Sequence, residues 1–229
     1  MIDLSALILA DSRFPGGGHV HSGGLEEIVT RKLVRHERDL PRFLSGRLRT
    51  AGELAAVFAA ASTHAALRDV HSGHWKVLDA ELDARTPSLA QREASRAQGR
   101  GTARAGRIAW PSPVLDGLLT VTPRPHHPVM LGALVGVAGG SPLDAAAAVA
   151  YLAISGPASA AVRLLGLDPF AVNAVVARLS GELRAVAERA AAVAGDDPSR
   201  LPAPGSPALD LLAEAHSRHH KEEVRLFAS

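Results

Sequence analysis

Apolar residues recur at spacings of three and four along most of this chain, in segments bounded by glycine, proline or a small polar residue. The pattern predicts helices over roughly residues 3–10, 23–33, 39–50, 52–70, 72–84, 89–109, 113–120, 128–138, 143–164 and 170–194, with a last helix beyond 207. Several starts carry a capping residue followed by proline, a pairing that satisfies an orphan N–H and presets φ in the first turn; Ser141-Pro142, Asp168-Pro169 and Ser206-Pro207 fit it. Ser88 with Gln91 reads as a capping box, and Gly99, Gly101 and Gly106 weaken the second half of the helix it opens. Segments 143–164 and 170–194 are alanine-rich nearly all round, so they are expected to form the buried central pair. Residues 195–207 turn to Gly, Asp, Pro and Ser and read as a short linker, ahead of a last helix and a tail over 221–229. With no internal repeat and no second core, residues 1–229 are expected to form one compact domain.

Composition supports the same class. The 229 residues are 47% hydrophobic, enough for a substantial core, yet only 3% aromatic, so alanine, leucine and valine must do the packing. That mix favours helix over sheet and gives an all-α expectation of about ten helices. There is no cysteine, which excludes disulfide scaffolds and thiolate metal sites. The start, Met1-Ile-Asp-Leu-Ser, lacks the basic region of a signal peptide, and the apolar runs are broken by Gly, Pro or charge, so a cytoplasmic protein without a membrane span is expected. Twenty-two arginines and three lysines face 23 acids, a formal charge of +2. The pI near 9.5 therefore reflects arginine's high pKa more than a positive excess and argues weakly for nucleic acid.

The densest local signal is Asp11-Ser-Arg-Phe-Pro-Gly-Gly-Gly-His-Val-His-Ser-Gly-Gly-Leu-Glu26, a glycine-rich turn with Ser22 where a helix cap would stand. Such a turn suggests phosphate binding, but the wording fails. No loop glycine is followed by the lysine of a P-loop. His21 stands where the dinucleotide fingerprint needs its third glycine. Ser22 has Val20 where a nucleophile elbow needs glycine. The turn is read as a structural element or a recognition surface.

Two further patterns could carry chemistry. The eleven histidines fall partly into clusters: His19 with His21, His71 with His74, His126 with His127, and His216, His219 and His220 at helical spacing, which puts the last three near one face. A metalloprotease motif is absent there, since no glutamate follows His216, and a solvated histidine face is the plainer reading. Arg92, Arg96, Arg100, Arg104 and Arg107 would share about a third of one helix's circumference. A solvated face, an acidic protein partner and nucleic acid are the alternatives, the last without neighbouring aromatics. Arg163 on an apolar helix is read as a paired structural cation, and Phe227 as an aromatic that needs either its own domain or a partner to cover it.

As a whole the N-terminal segment resembles the signature of the urease accessory protein UreF family, roughly Asp-Ser-x-Leu/Phe-Pro-x-Gly-Gly-Phe-x-His-Ser-x-Gly-Leu-Glu. The matching residues are Asp11, Ser12, Phe14, Pro15, Gly17, Gly18, His21, Ser22, Gly24, Leu25 and Glu26. Gln98-Gly99-Arg100 is similar to the family's Gln-Gly-Arg element, and His127-Pro128-Val129 with Gly132 to its His-x-Pro-Val region. Tyr151 and Ala161-Val162-Arg163-Leu164 are similar to its central helix, and Arg225-Leu226-Phe227-Ala228-Ser229 to its tail. Departures are His19 and Val20 in the signature, Leu165-Gly-Leu-Asp168-Pro169 in place of a proline and glutamine-rich turn, and Ala228 in place of a basic residue.

The resemblance implies a non-enzymatic helical homodimer that bridges UreD (also called UreH) and the GTPase UreG, so that nickel reaches the urease apoprotein. By it the N-terminal helix and tail meet UreD and the dimer surface meets UreG, whose GTP hydrolysis the family is thought to control. It assigns no cofactor to this chain: nickel transits the complex and GTP belongs to the partner. Asp11, Pro15, Gly17, Gly18, His21, Ser22, Gly24, Glu26, Gln98, Gly99, Arg100, Arg225, Leu226, Phe227 and Ser229 are then the expected partner-binding residues, with no catalytic or metal-ligating residue. A histidine-rich metal-binding or nucleic-acid-binding helical protein is the alternative.

Overall fold

The computed structural model describes residues 3–17 and 21–219. Among them are twelve α-helices and no strand: α1 (Leu4–Ala10), α2 (Leu25–Thr30), α3 (Leu40–Arg47), α4 (Glu53–Leu67), α5 (Ser72–Ala84), α6 (Leu89–Ala109), α7 (Pro113–Val121), α8 (His127–Val137), α9 (Pro142–Leu165), α10 (Pro169–Arg178), α11 (Ser180–Ala192) and α12 (Pro207–His219). The chain is all-α, as its composition implies.

The proline-led caps of α9 and α10 form as the sequence indicates, and α12 begins at Pro207. Ser141 and Asp144 make a complete capping box on α9, and Asp168 accepts from the N–H groups of Phe170 and Ala171 on α10. Ser88 accepts from the Gln91 N–H, but the Gln91 side chain turns to Asp210 on α12 instead of closing the box. The helix predicted over 23–33 shrinks to α2, because Gly23 and Gly24 sit at positive φ before it and Lys32 at φ +59 stops it. The helix predicted over 170–194 divides at Leu179, where ψ falls to 0 ahead of Ser180-Gly181. Residues 39–67 run on without a break, since a π-helical turn, Leu48–Gly52, joins α3 to α4.

The centre is not the expected pair. α9 and α11 do pack together, but α8 is the helix buried on all sides, from Pro128 through Gly136, with α4 along it and α6, α7 and α9 around it. Two glycines make this possible. A Cβ on Gly132 would overlap the Ala59 carbonyl of α4, and one on Gly136 would stand 2.8 Å from the Ala66 Cβ. The backbones therefore approach more closely than side chains would allow, and Thr63 Oγ1 donates across the gap to the Gly132 carbonyl at 2.8 Å. α11 keeps a polar outer face and lies at the edge.

Glycines do not weaken α6 either. Gly99 meets the Pro125 carbonyl, Gly101 the Gly16 carbonyl and Gly106 the Leu134 side chain, so each marks a close approach. Gly156 and Pro157 likewise leave α9 unbroken, which corrects the reading that no apolar run reaches bilayer length. By length and composition α9 could span a membrane, yet 56% of its most apolar stretch is buried in the fold, as a core helix requires.

Gly132→Ala should cost about 1–3 kcal/mol through overpacking. Gly117→Ala on α7, where no atom lies within 4 Å of the added methyl, should stabilise by about 0.5–1 kcal/mol. Urea unfolding of both variants checks the pair, and equal effects would contradict the α4–α8 packing.

Candidate functional site

The glycine segment begins at the end of α1 with a turn closed by Asp11, whose carboxylate accepts from the Arg13 backbone at 2.8 Å and pairs with the Arg13 guanidinium at 2.6 Å. These hydrogen bonds pull the Asp11 carboxyl down to about 2. The loop then lies on α6, Gly16 against Thr102 and Gly101. It re-enters at Ser22, which is fully buried, its Oγ placed 3.4 Å from the Glu26 N–H. Ser22 thus reaches the first turn of α2 from outside, while Gly24, at φ +88, holds the capping position.

One residue that sequence reasoning did not single out organises this loop. Pro157 lies inside α9 and has no N–H, so the carbonyl of Ala153, four residues earlier, loses its helical partner. Arg47 supplies the missing donor, its Nε to Ala153 O at 2.8 Å, and its Nη1 donates to Gly23 O at 2.8 Å. Gly23 packs against the same guanidinium: a Cβ there would stand 2.8 Å from Arg47 Cζ and 2.9 Å from Pro157 Cγ. Burial draws the Arg47 guanidinium down to about 10. The available signal was a proline in mid-helix, which leaves an orphan carbonyl that something must satisfy.

A second polar cluster holds α5, α6 and the start of α8 together. Arg96 pairs with Asp79 at 3.0 Å and Asp83 at 2.8 Å, and the Asp79 carboxylate accepts the His126 N–H at 2.8 Å. The fully buried His126 ring donates from Nε2 to Asp83 at 3.0 Å and accepts at Nδ1 from Ser95 Oγ at 3.0 Å, because a carboxylate can only accept. Burial pushes the His126 pKa down, consistent with this neutral ring. Burial pushes the Asp83 carboxyl up, but hydrogen bonds from Arg96 and His126 outweigh it and hold it below its ordinary value.

The arginine stripe is accordingly divided. Arg92 and Arg96 turn inward to the α5 acids, Arg107 pairs with Asp116 at 2.8 Å, and Arg100 and Arg104 are exposed. α12 crosses α6 and α2, with Glu214 accepting from Ser88 Oγ at 2.7 Å and from the Ala90 N–H at 3.0 Å. Its end reaches α2, where His216 lies 3.9 Å from Glu26 and His219 3.4 Å from the buried Glu27. His216 is buried and His219 largely exposed, so these two do not share a solvated face.

Of the expected partner-binding residues, Asp11, His21, Gly24 and Gln98 line one cavity of about 910 Å³, which Arg47, His127 and Arg163 also line. Pro15 and Arg100 are exposed and Gly17 partly so, whereas Ser22, Glu26 and Gly99 are buried. For Ser22 and Glu26 burial favours the structural of the two readings of the turn, and Gly99 is likewise buried on α6. Gly18, Arg225, Leu226, Phe227 and Ser229 lie outside the described residues, as do His19, Val20, His220 and Ala228. Among the described residues no three His, Asp or Glu side chains are grouped as metal ligands.

The UreF family model matches residues 34–180. Urease accessory protein UreF of Mycobacterium sp. strain JLS is 46% identical over 225 residues, covering 97% of both chains. The UreF of Mycolicibacterium vanbaalenii is 45% identical, also over 97% of both, and that of Mycobacterium bovis strain BCG / Pasteur 1173P2 is 42% identical over the full length of both. This chain belongs to the UreF family.

Gly23→Ala should destabilise more than Gly166→Ala, since both sit at φ near +60 but only Gly23 has a guanidinium and a proline ring against it. A difference of about 1–2 kcal/mol in urea unfolding is expected from the overpacking. A second expectation concerns pH. Burial lowers the His127 pKa from 6.5 to about 4, so the unfolded chain takes up a proton first as pH falls, and stability present above pH 6.5 is lost towards pH 4. Between pH 7 and 5 the wild type should lose on the order of 2 kcal/mol more than His127→Gln. Equal losses would contradict a neutral His127 in the folded chain.

Proposed function

We propose that this chain acts as a urease accessory protein: a scaffold without a chemical step of its own that joins UreD and the GTPase UreG in the cytoplasm, as a homodimer. Nickel passes through that complex to the urease apoprotein, and GTP is held by UreG, whose hydrolysis this chain regulates. Near-complete alignment with proteins named as urease accessory proteins supports the role. The observation that carries the scaffold reading is the outer face of α1. Leu4, Leu7 and Ile8 are 72%, 51% and 51% exposed, while Ala6 and Leu9 on the inner face are buried against the core. A seven-residue helix with three large apolar side chains in water is a protein-docking face. The family resemblance directs it to UreD, together with the tail.

Leu7→Asp with Ile8→Asp should leave the chain folded and reduce co-purification with UreD at least tenfold, each change placing a charge at an apolar contact. Pull-down and circular dichroism on the same preparation read both. A chain ended before Arg225 should likewise stay folded and lose UreD. Wild-type recovery of UreD by either variant would overturn the corresponding assignment.

A further inference from the structure

The Arg47 guanidinium uses Nε and Nη1 on two carbonyls and has no carboxylate partner among the described residues. Nη2 donates to no protein acceptor there, and the residue lines the cavity of about 910 Å³. Arg47 is partly buried, and a partly buried cation whose acceptors among the described residues are neutral carbonyls is incompletely compensated, since carbonyl dipoles stabilise it less than an anion would. The same wall carries other donors without acceptors: Thr102 Oγ1 and Arg85 Nε are buried and unmatched among the described residues. Asp11 is the one carboxylate on the wall among those residues, and it is already paired with Arg13. The lining also includes the apolar Leu54, Val149 and Leu152, alongside polar residues such as His21, Gln98 and Arg163.

We propose that this cavity binds a small free carboxylate anion, its oxygens on the Nη1 and Nη2 edge of Arg47 and its carbon end against Leu54, Val149 and Leu152. A guanidinium edge matches the two oxygens of a carboxylate, which is why the class is a carboxylate and not a halide. The anion supplies a negative partner that Arg47 does not have among the described residues, next to the contact that fixes the glycine loop. The site is independent of which proteins the chain meets.

The test is titration of the full chain with sodium formate and sodium acetate at constant ionic strength, against sodium chloride, read by ligand-observed NMR and by thermal unfolding. Saturable binding of formate and acetate, absent for chloride, is expected. Arg47→Lys, which keeps the charge but loses the fork, should weaken it at least tenfold. Leu152→Trp crowds the proposed carbon-end contact and leaves Arg47 in place, so it should weaken binding at least tenfold even where the Arg47 variant folds poorly. A response to formate no larger than to chloride, or unchanged affinity in folded Arg47→Lys or in Leu152→Trp, overturns the proposal.

Discussion

A missing hydrogen bond in the middle of α9 is the constraint from which the functional end of the molecule is built. Pro157 cannot donate to Ala153 O, and an unsatisfied buried carbonyl costs about 1–3 kcal/mol. Arg47 satisfies it from α3, one residue before the backbone widens into the π turn that joins α3 to α4. Because the same guanidinium also holds Gly23 O, the defect in one helix becomes the anchor of the loop that precedes another. The position of α2, and through Glu26 and Glu27 the end of α12, follows from that anchor.

Close backbone approach is the second theme. Gly132 and Gly136 bring α8 against α4, while Gly99 and Gly101 bring α6 against the Pro125 carbonyl and the glycine loop. In an interior with few aromatics, small residues gain dispersion contacts by bringing whole helices together instead of filling gaps with rings. Gln98 of the Gln98-Gly99-Arg100 element and the N-terminal signature, more than seventy residues apart in sequence, thereby share one cavity. Their glycines are spacing elements that set this arrangement, not markers of a phosphate loop.

Helix count, most helix boundaries and the proline-led caps were legible because capping and periodicity are local. The α4–α8 centre was not, since alanine content marks burial without saying which neighbour covers it, and the paired glycines acquire meaning only when the facing carbonyl is known. Arg47 was hidden for the same reason: its partners lie 24 and 106 residues away. Asp79 and Asp83 look like ordinary solvent-facing acids on α5 until Arg96 and His126 are placed beside them. Family membership was legible in the ordered motifs, whereas the inward role of Ser22 and Glu26 was not, because polar residues in a glycine-rich segment read as surface.

The central claim is that Arg47 couples the Pro157 defect to the Gly23 loop, and a double-mutant cycle tests it most directly. Pro157→Ala restores a helical donor to Ala153 O and so competes with Arg47 for that carbonyl. Stability and amide hydrogen exchange would be measured for Arg47→Met, Pro157→Ala and the double variant. In Arg47→Met, protection should fall in residues 21–28 while α4 and α8 stay protected, and the loss in stability should shrink by about 1 kcal/mol or more when Pro157 is also replaced. Additive effects, or unchanged protection of residues 21–28 in Arg47→Met, would contradict the account.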